Sequence, residues 1–111
     1  MEPKEKEEMS EGRWCIVGNG SWGLWFGRVI ATDAEIIEST AVRLYDARNI
    51  RYWYGRKGGI TSLAAFGPCG PDKDKSRIGA PIESTLLLDV KAVHVCSEEA
   101  VKAFTEIVSH G

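Results

Sequence analysis

The sequence predicts an α+β domain: an antiparallel β-sheet with a short mid-chain helix and a C-terminal helix. Three observations carry this. Runs in which apolar and polar side chains alternate with period 2 recur along the chain, as strands require. An Asn19-Gly20 pair separates the first two runs, and this dipeptide is the strongest short hairpin signal. The segments run strands, short helix, strands, terminal helix, an order that suits helices segregated from an antiparallel sheet.

The elements follow in order. Residues 1–12, MEPKEKEEMSEG, hold five glutamates and two lysines and read as a disordered acidic tail, leaving 13–111 as a single ligand-binding domain. Residues 13–18 (RWCIVG) form the first strand. In 21–32 the set Trp22, Leu24, Phe26, Arg28 and Ile30 alternates with Gly23, Trp25, Gly27, Val29 and Ala31, which predicts the partner strand. Its glycines mark bending or close backbone approach. Asp33-Ala34 is the expected turn. Residues 35–46 then supply another strand with Val42 and Leu44 on one face, and the aromatic-rich 48–54 (RNIRYWY) a further one. Residues 55–59 (GRKGG) are a loop. Thr61 and Ser62 are expected to cap a short helix that runs through Phe66, and Gly67-Pro68 ends it. Residues 67–81 hold three of the four prolines and read as one long loop, a length usually mobile or functional. Strands follow at 84–90 (STLLLDV) and 92–96 (AVHVC). Ser97 caps the final helix, with Glu98 and Glu99 at its positive end and Val101, Phe104, Ile107 and Val108 on its apolar face.

A chain of 111 residues makes one domain. It buries roughly 65% of its unfolded surface, so it has a modest core and little room for a deep private cavity. The 43% hydrophobic and 27% charged content exclude global disorder. Fourteen basic against sixteen acidic residues give a net charge of −2, which argues against coating long nucleic acid. A small anion held by a few local arginines stays open. Three cysteines, at 15, 69 and 96, a charged N-terminus without a signal-peptide pattern, and no apolar run of about 20 residues place free thiols in a cytoplasm and predict no membrane span.

Chemical motifs are thin. Gly18-Asn-Gly20-Ser-Trp-Gly23 is a literal GxGxxG, but a dinucleotide fingerprint needs a helix opening within it, and 24–32 alternates like a strand. His94 and Cys96 share a strand face without the paired spacing of a metal site. No flanking sequence supports an activated thiol. The carboxylates concentrate in the tail and the final helix. The expectation is therefore a binder rather than an enzyme, with no metal and no cofactor.

The informative feature is a cluster of aromatics and arginines. Trp22, Trp25, Phe26 and Arg28 lie on one strand, and Arg43, Arg48, Arg51, Tyr52, Trp53 and Tyr54 follow nearby. Flat rings stack on nucleobases for about 1–3 kcal/mol each, and guanidinium forks hold phosphate oxygens. The competing reading is core aromatics beneath a snorkelling surface. Composition divides the two evenly.

Three stretches resemble a known family. They are Gly23-Leu-Trp-Phe26-Gly27-Arg28, then Val42-Arg-Leu-Tyr-Asp46-Ala47-Arg48-Asn-Ile-Arg-Tyr52-Trp53, then Gly59-Ile-Thr-Ser62-Leu63-Ala64, with a looser match at 87–93. Together, over about residues 13–108, they resemble the first Thoeris anti-defence family of small phage proteins. The chain departs from that pattern in its extended 67–81 loop and in Tyr54-Gly55-Arg56-Lys57. The resemblance implies a sponge: a protein that binds a cyclic ADP-ribose immune signal, in some members also cyclic oligonucleotides, and holds it intact. It implies a homo-oligomer built from dimers, with sites near subunit interfaces, working in the cytoplasm of an infected bacterium.

On that reading Trp22, Phe26 or Trp53 stacks on adenine, and Arg28, Arg48 or Arg77 pairs with the pyrophosphate. Gly27 belongs to the same ligand-binding set. Thr61 and Ser62 add hydroxyl and backbone N–H donors at a helix start. Arg77 enters because its loop is expected to close over a ligand. The alternative class is an interaction module that inhibits a host protein through an aromatic surface. A nucleotide hydrolase is disfavoured, since no base or metal constellation is visible.

Overall fold

The computed structural model describes residues 12–20, 23–55 and 57–109. The tail expected at 1–12 therefore lies outside the described residues except for Gly12. Among the described residues six strands and three α-helices follow one another. They are β1 (Arg13–Asn19), β2 (Gly23–Val29), α1 (Asp33–Ser39), β3 (Val42–Tyr52), α2 (Gly59–Phe66), β4 (Arg77–Ile78), β5 (Ile82–Leu87), β6 (Val90–Val95) and α3 (Glu98–Glu106). All strand pairs are antiparallel, in the order β4-β3-β2-β1-β6, with β5 also on β3. The predicted α+β class, with its mid-chain and C-terminal helices, is the observed one.

The sheet must curl. β5 pairs with β3 and β6 pairs with β1, so three strands, β3, β2 and β1, lie between them. In a flat sheet β5 and β6 would stand about 19 Å apart, four steps of about 4.8 Å. Only Leu88 and Asp89 join them, and that link spans about 10 Å at most. The sheet therefore rolls until its two edges meet at this end. Side-chain and backbone bonds fasten the seam: Asn19 Nδ2 donates to Leu88 O at 3.2 Å, Gly20 N–H to Asp89 O at 3.1 Å, and Val90 N–H to Thr40 O at 2.8 Å. Asp89 makes the corner with φ 58°.

Alternation along the strands then sorts the core into two. Inside the curl lie Cys15, Val17, Val29, Val42, Leu44, Ala47 and Leu87, closed by Ile36 of α1. On the outer face Ile16, Phe26, Ile50 and Ile78 pack under Leu63 and Ala64 of α2 and Phe104 of α3.

Several sequence expectations are corrected. Asp33 to Ser39 is a helix, not a turn entering a strand. Thr32 and Glu35 form a capping box: Glu35 N–H donates to Thr32 Oγ1 at 3.2 Å and Thr32 N–H to Glu35 Oε1 at 2.8 Å. The two strands expected at 35–46 and 48–54 are one, β3. It runs on through Asp46 at φ 52°, where its register against β2 slips. The hairpin strand ends at Asn19, which pairs with Gly23, so Asn19 is not a turn residue. Helix α2 starts at Gly59, with Gly58 as its N-cap, so Thr61 and Ser62 lie inside it. The 67–81 segment is not one open loop. It contains a 3₁₀ turn at Lys73–Lys75 and β4, with Ser76 and Ile78 fully buried. The last two strands sit earlier than expected, because Leu88-Asp89 forms the corner between them.

Candidate functional site: two guanidinium–aromatic patches

The expected site residues do not converge. Trp22 lies outside the described residues. Phe26 is 1% exposed, its ring stacked between Trp14 (centroids 5.1 Å) and Phe104 (4.3 Å). It is the centre of the outer core, so stacking on a base is corrected to stacking on its neighbours. Gly27 is buried, and a Cβ there would stand 2.6 Å from Leu44 Cγ and 2.9 Å from Tyr45 O. Its close approach is to β3 rather than to a ligand.

Arg48 is 4% exposed. Its Nε donates to Gly79 O at 2.7 Å, its Nη1 to Phe104 O at 2.6 Å and Ile107 O at 3.1 Å, and its Nη2 to Ser109 Oγ at 3.3 Å. Two of these acceptors end α3, where the helix dipole is negative. Burial lowers the pKa of this guanidinium. Arg48 thus locks α3 to the sheet, and no pyrophosphate reaches its fork. Thr61 Oγ1 donates to Gly58 O at 3.0 Å and Ser62 Oγ to Lys57 O at 2.7 Å. Their protons tie down the start of α2.

Two part-exposed guanidinium–aromatic patches remain among the described residues, one beside the middle of β3 and one at its end. In the first, Arg28 projects from β2 with its Cζ 5.7 Å from the Tyr45 ring centroid and 5.8 Å from that of Trp14. Its Nε donates to Asp46 Oδ2 at 2.8 Å. The slip in register at Asp46 is what turns this carboxylate toward Arg28. In the second, Arg77 of β4 lies over Tyr52 of β3, 6.0 Å from the ring centroid. Tyr54 meets Tyr52 edge-on at 6.2 Å. Tyr52 and Tyr54 are 47% and 41% exposed. Trp53 turns the other way and packs against the outer core.

The second patch is tied to its neighbours through the backbone. Tyr54 N–H donates to Ser76 Oγ at 2.8 Å, and Cys69 N–H donates to Tyr54 O at 3.1 Å. Ile50 pairs with Ile78 and Tyr52 with Arg77. Arg77 therefore belongs to a strand, and the lid expected at 67–81 is corrected to a pinned segment. The site residues expected from the sequence do not include Tyr52, Tyr54, Trp14, Tyr45 or Asp46, which the structure groups with Arg77 and Arg28. Tyr52 and Tyr54 share one strand parity, a signal present in the sequence. The pairing of Tyr52 with Arg77 joins positions 25 apart and had no such signal.

Fold and patches together define a small α+β domain: a curled antiparallel sheet with two helices on its outer face, a third closing its inner core, and guanidinium–aromatic pairs beside the middle and at the end of its longest strand. The chain belongs to the DUF6948 family, a domain of unknown function, which matches residues 12–104. No curated protein and no solved structure matches it.

Proposed function

We propose that this domain is a sponge for a small cyclic nucleotide, a cyclic ADP-ribose isomer, which it binds and holds without cleaving. The observation that carries this reading is the Arg77–Tyr52–Tyr54 patch. It offers two part-exposed tyrosine rings for a base and, over Tyr52, a guanidinium for a phosphate, with Tyr52 and Arg77 on paired strands. A preorganised site loses less entropy on binding. The resemblance of the 42–64 stretch to the first Thoeris anti-defence family supports the same ligand class. The Arg28 patch offers a second guanidinium with two rings.

Nanomolar capture corresponds to about −12 kcal/mol, and pockets that reach it enclose most of the ligand. Either patch on one copy is shallow, so the proposed sponge is a homo-oligomer that completes its sites between subunits. Its setting is the cytoplasm of an infected bacterium. No helix among the described residues is long and apolar enough to cross a membrane.

The test is thermal shift of the purified protein against a panel of cyclic ADP-ribose isomers and cyclic di- and trinucleotides. A true ligand at a hundredfold excess over its dissociation constant stabilises by about 2.7 kcal/mol, an evident shift. Heat-denaturing the complex should release unaltered nucleotide. Arg77→Ala and Tyr52→Ala should each weaken binding about tenfold or more. A cleaved product overturns the reading. So does the absence of any shift across the panel, and a stoichiometric protein partner in that case favours the interaction module instead.

A further inference from the structure

We infer that the free edge of β6 is a self-association site, where a second copy of this chain adds its own β6 in antiparallel register. The edge is built for pairing. Cys96 N–H donates to Trp14 O at 2.8 Å, which sets the phase of the β1–β6 ladder. His94 and Ala92, at the same parity, turn their backbone groups toward β1, opposite Ile16 and Gly18. Val93 and Val95 turn theirs outward. Among the described residues no backbone hydrogen bond meets Val93 or Val95 on that side. Exposed edges are normally blunted by proline, bulges or inward charges. From Ala92 to Val95 this edge has none of these, since its one register shift falls at Asn19/Gly18, beyond Ala92.

The edge is also walled. Helix α1 runs beside β6, with Asp33 near Val95 and Thr40 bonded to Val90. Between them lies a groove of about 370 Å³ lined by Ile36, Ile37, Thr40, Val93 and Val95. Ile37 is 77% exposed and Val95 57%, although both are large and apolar. An added strand would cover them while its backbone completed the ladder.

Charge identifies the occupant as a second copy. A two-fold axis at Val93 sets Val93 against Val93 and Lys91 against Val95 of the other copy. Lys91 then reaches the end of the groove that holds Asp33, whose carboxylate is 76% exposed beyond its bond to Arg13. The pair forms twice by symmetry. Within one copy Lys91 pairs with Asp89, at 3.1 Å and also exposed. Shifting the axis to His94 would set two imidazoles face to face and lose the Lys91–Asp33 match.

This inference locates the oligomer proposed above but does not depend on its ligand. Its readout is mass, so a silent nucleotide panel leaves it standing, and a monomeric protein leaves the panel result standing. Sedimentation of the intact chain across micromolar concentrations should show a dimer or an even multiple. Val93→Pro removes the outward N–H at the axis, together with the Val93 contact to the inner core, and should shift the protein toward half that mass with its far-UV circular dichroism retained. Lys91→Glu should weaken association about tenfold at low salt. Adding Asp33→Lys should restore it, and this pair answers the question even if the proline variant does not fold. A monomer at every concentration overturns the inference, as does a dimer whose mass neither Val93→Pro nor Lys91→Glu changes.

Discussion

Arg48 shows how one residue changes role between sequence and structure. Its charge is buried, and its acceptors are carbonyls at the end of α3 and at Gly79, together with Ser109. Removing the side chain leaves those carbonyls unsatisfied in the outer core. Arg48→Ala should therefore cost about 2–4 kcal/mol in denaturant unfolding. Arg48→Lys should recover only part of this, because an ammonium cannot reproduce the fork.

The thiols act at the same scale. Burial, with Cys15 nearby, pushes the Cys96 pKa up to about 12 from an ordinary 9.0. Burial also raises Cys15, against the lowering effect of Arg13. The folded chain thus holds these protons more tightly than the unfolded chain. Their contribution is whole below pH 9.0 and is lost as pH rises toward 12. The melting temperature should fall across that window, and Cys96→Ser should flatten part of the fall.

Among the elements, α1 is the one whose sequence signal was present and overridden. Thr32-x-x-Glu35 is a capping box before Ile36 and Ile37, yet the alternation at Val42 and Leu44 extends the expected strand back to Glu35. The box stabilises a helix of seven residues that would be marginal alone. Thr32→Ala should destabilise the domain by about 1 kcal/mol and loosen the α1 side of the β6 groove, seen as faster amide exchange at Ile36. Ser97 works on α3 as the sequence predicts. It accepts from Ala100 N–H at 3.1 Å and also donates to Ala65 O, which joins the last helix to α2. The cap was legible because it is local. The bond to Ala65 joins residues 32 apart and was not.

Across the whole molecule the C-terminal helix is structural. Phe104 is fully buried against Phe26, and the backbone that follows it holds Arg48. Deleting residues 98–111 exposes the outer core and strands a buried charge. Such a chain should lose cooperative thermal unfolding altogether, as calorimetry or near-UV circular dichroism would show.

The sequence by itself determined the α+β class, the β1–β2 hairpin, the presence of α2, β5, β6 and α3 in that order, and the Ser97 cap, while α1, the continuity of β3, β4 and the start of α2 escaped it. These depend on neighbours a few positions apart, through side-chain period and hydroxyl-to-amide bonds. Only the tertiary structure decided which guanidiniums stay exposed. Arg28, Arg48 and Arg77 look alike in sequence. The slipped register at Asp46, the docking of α3 and the pairing of β4 with Tyr52 send them to different surroundings. Those contacts join residues far apart in the chain, and they form only once the sheet has curled and its outer face has been covered.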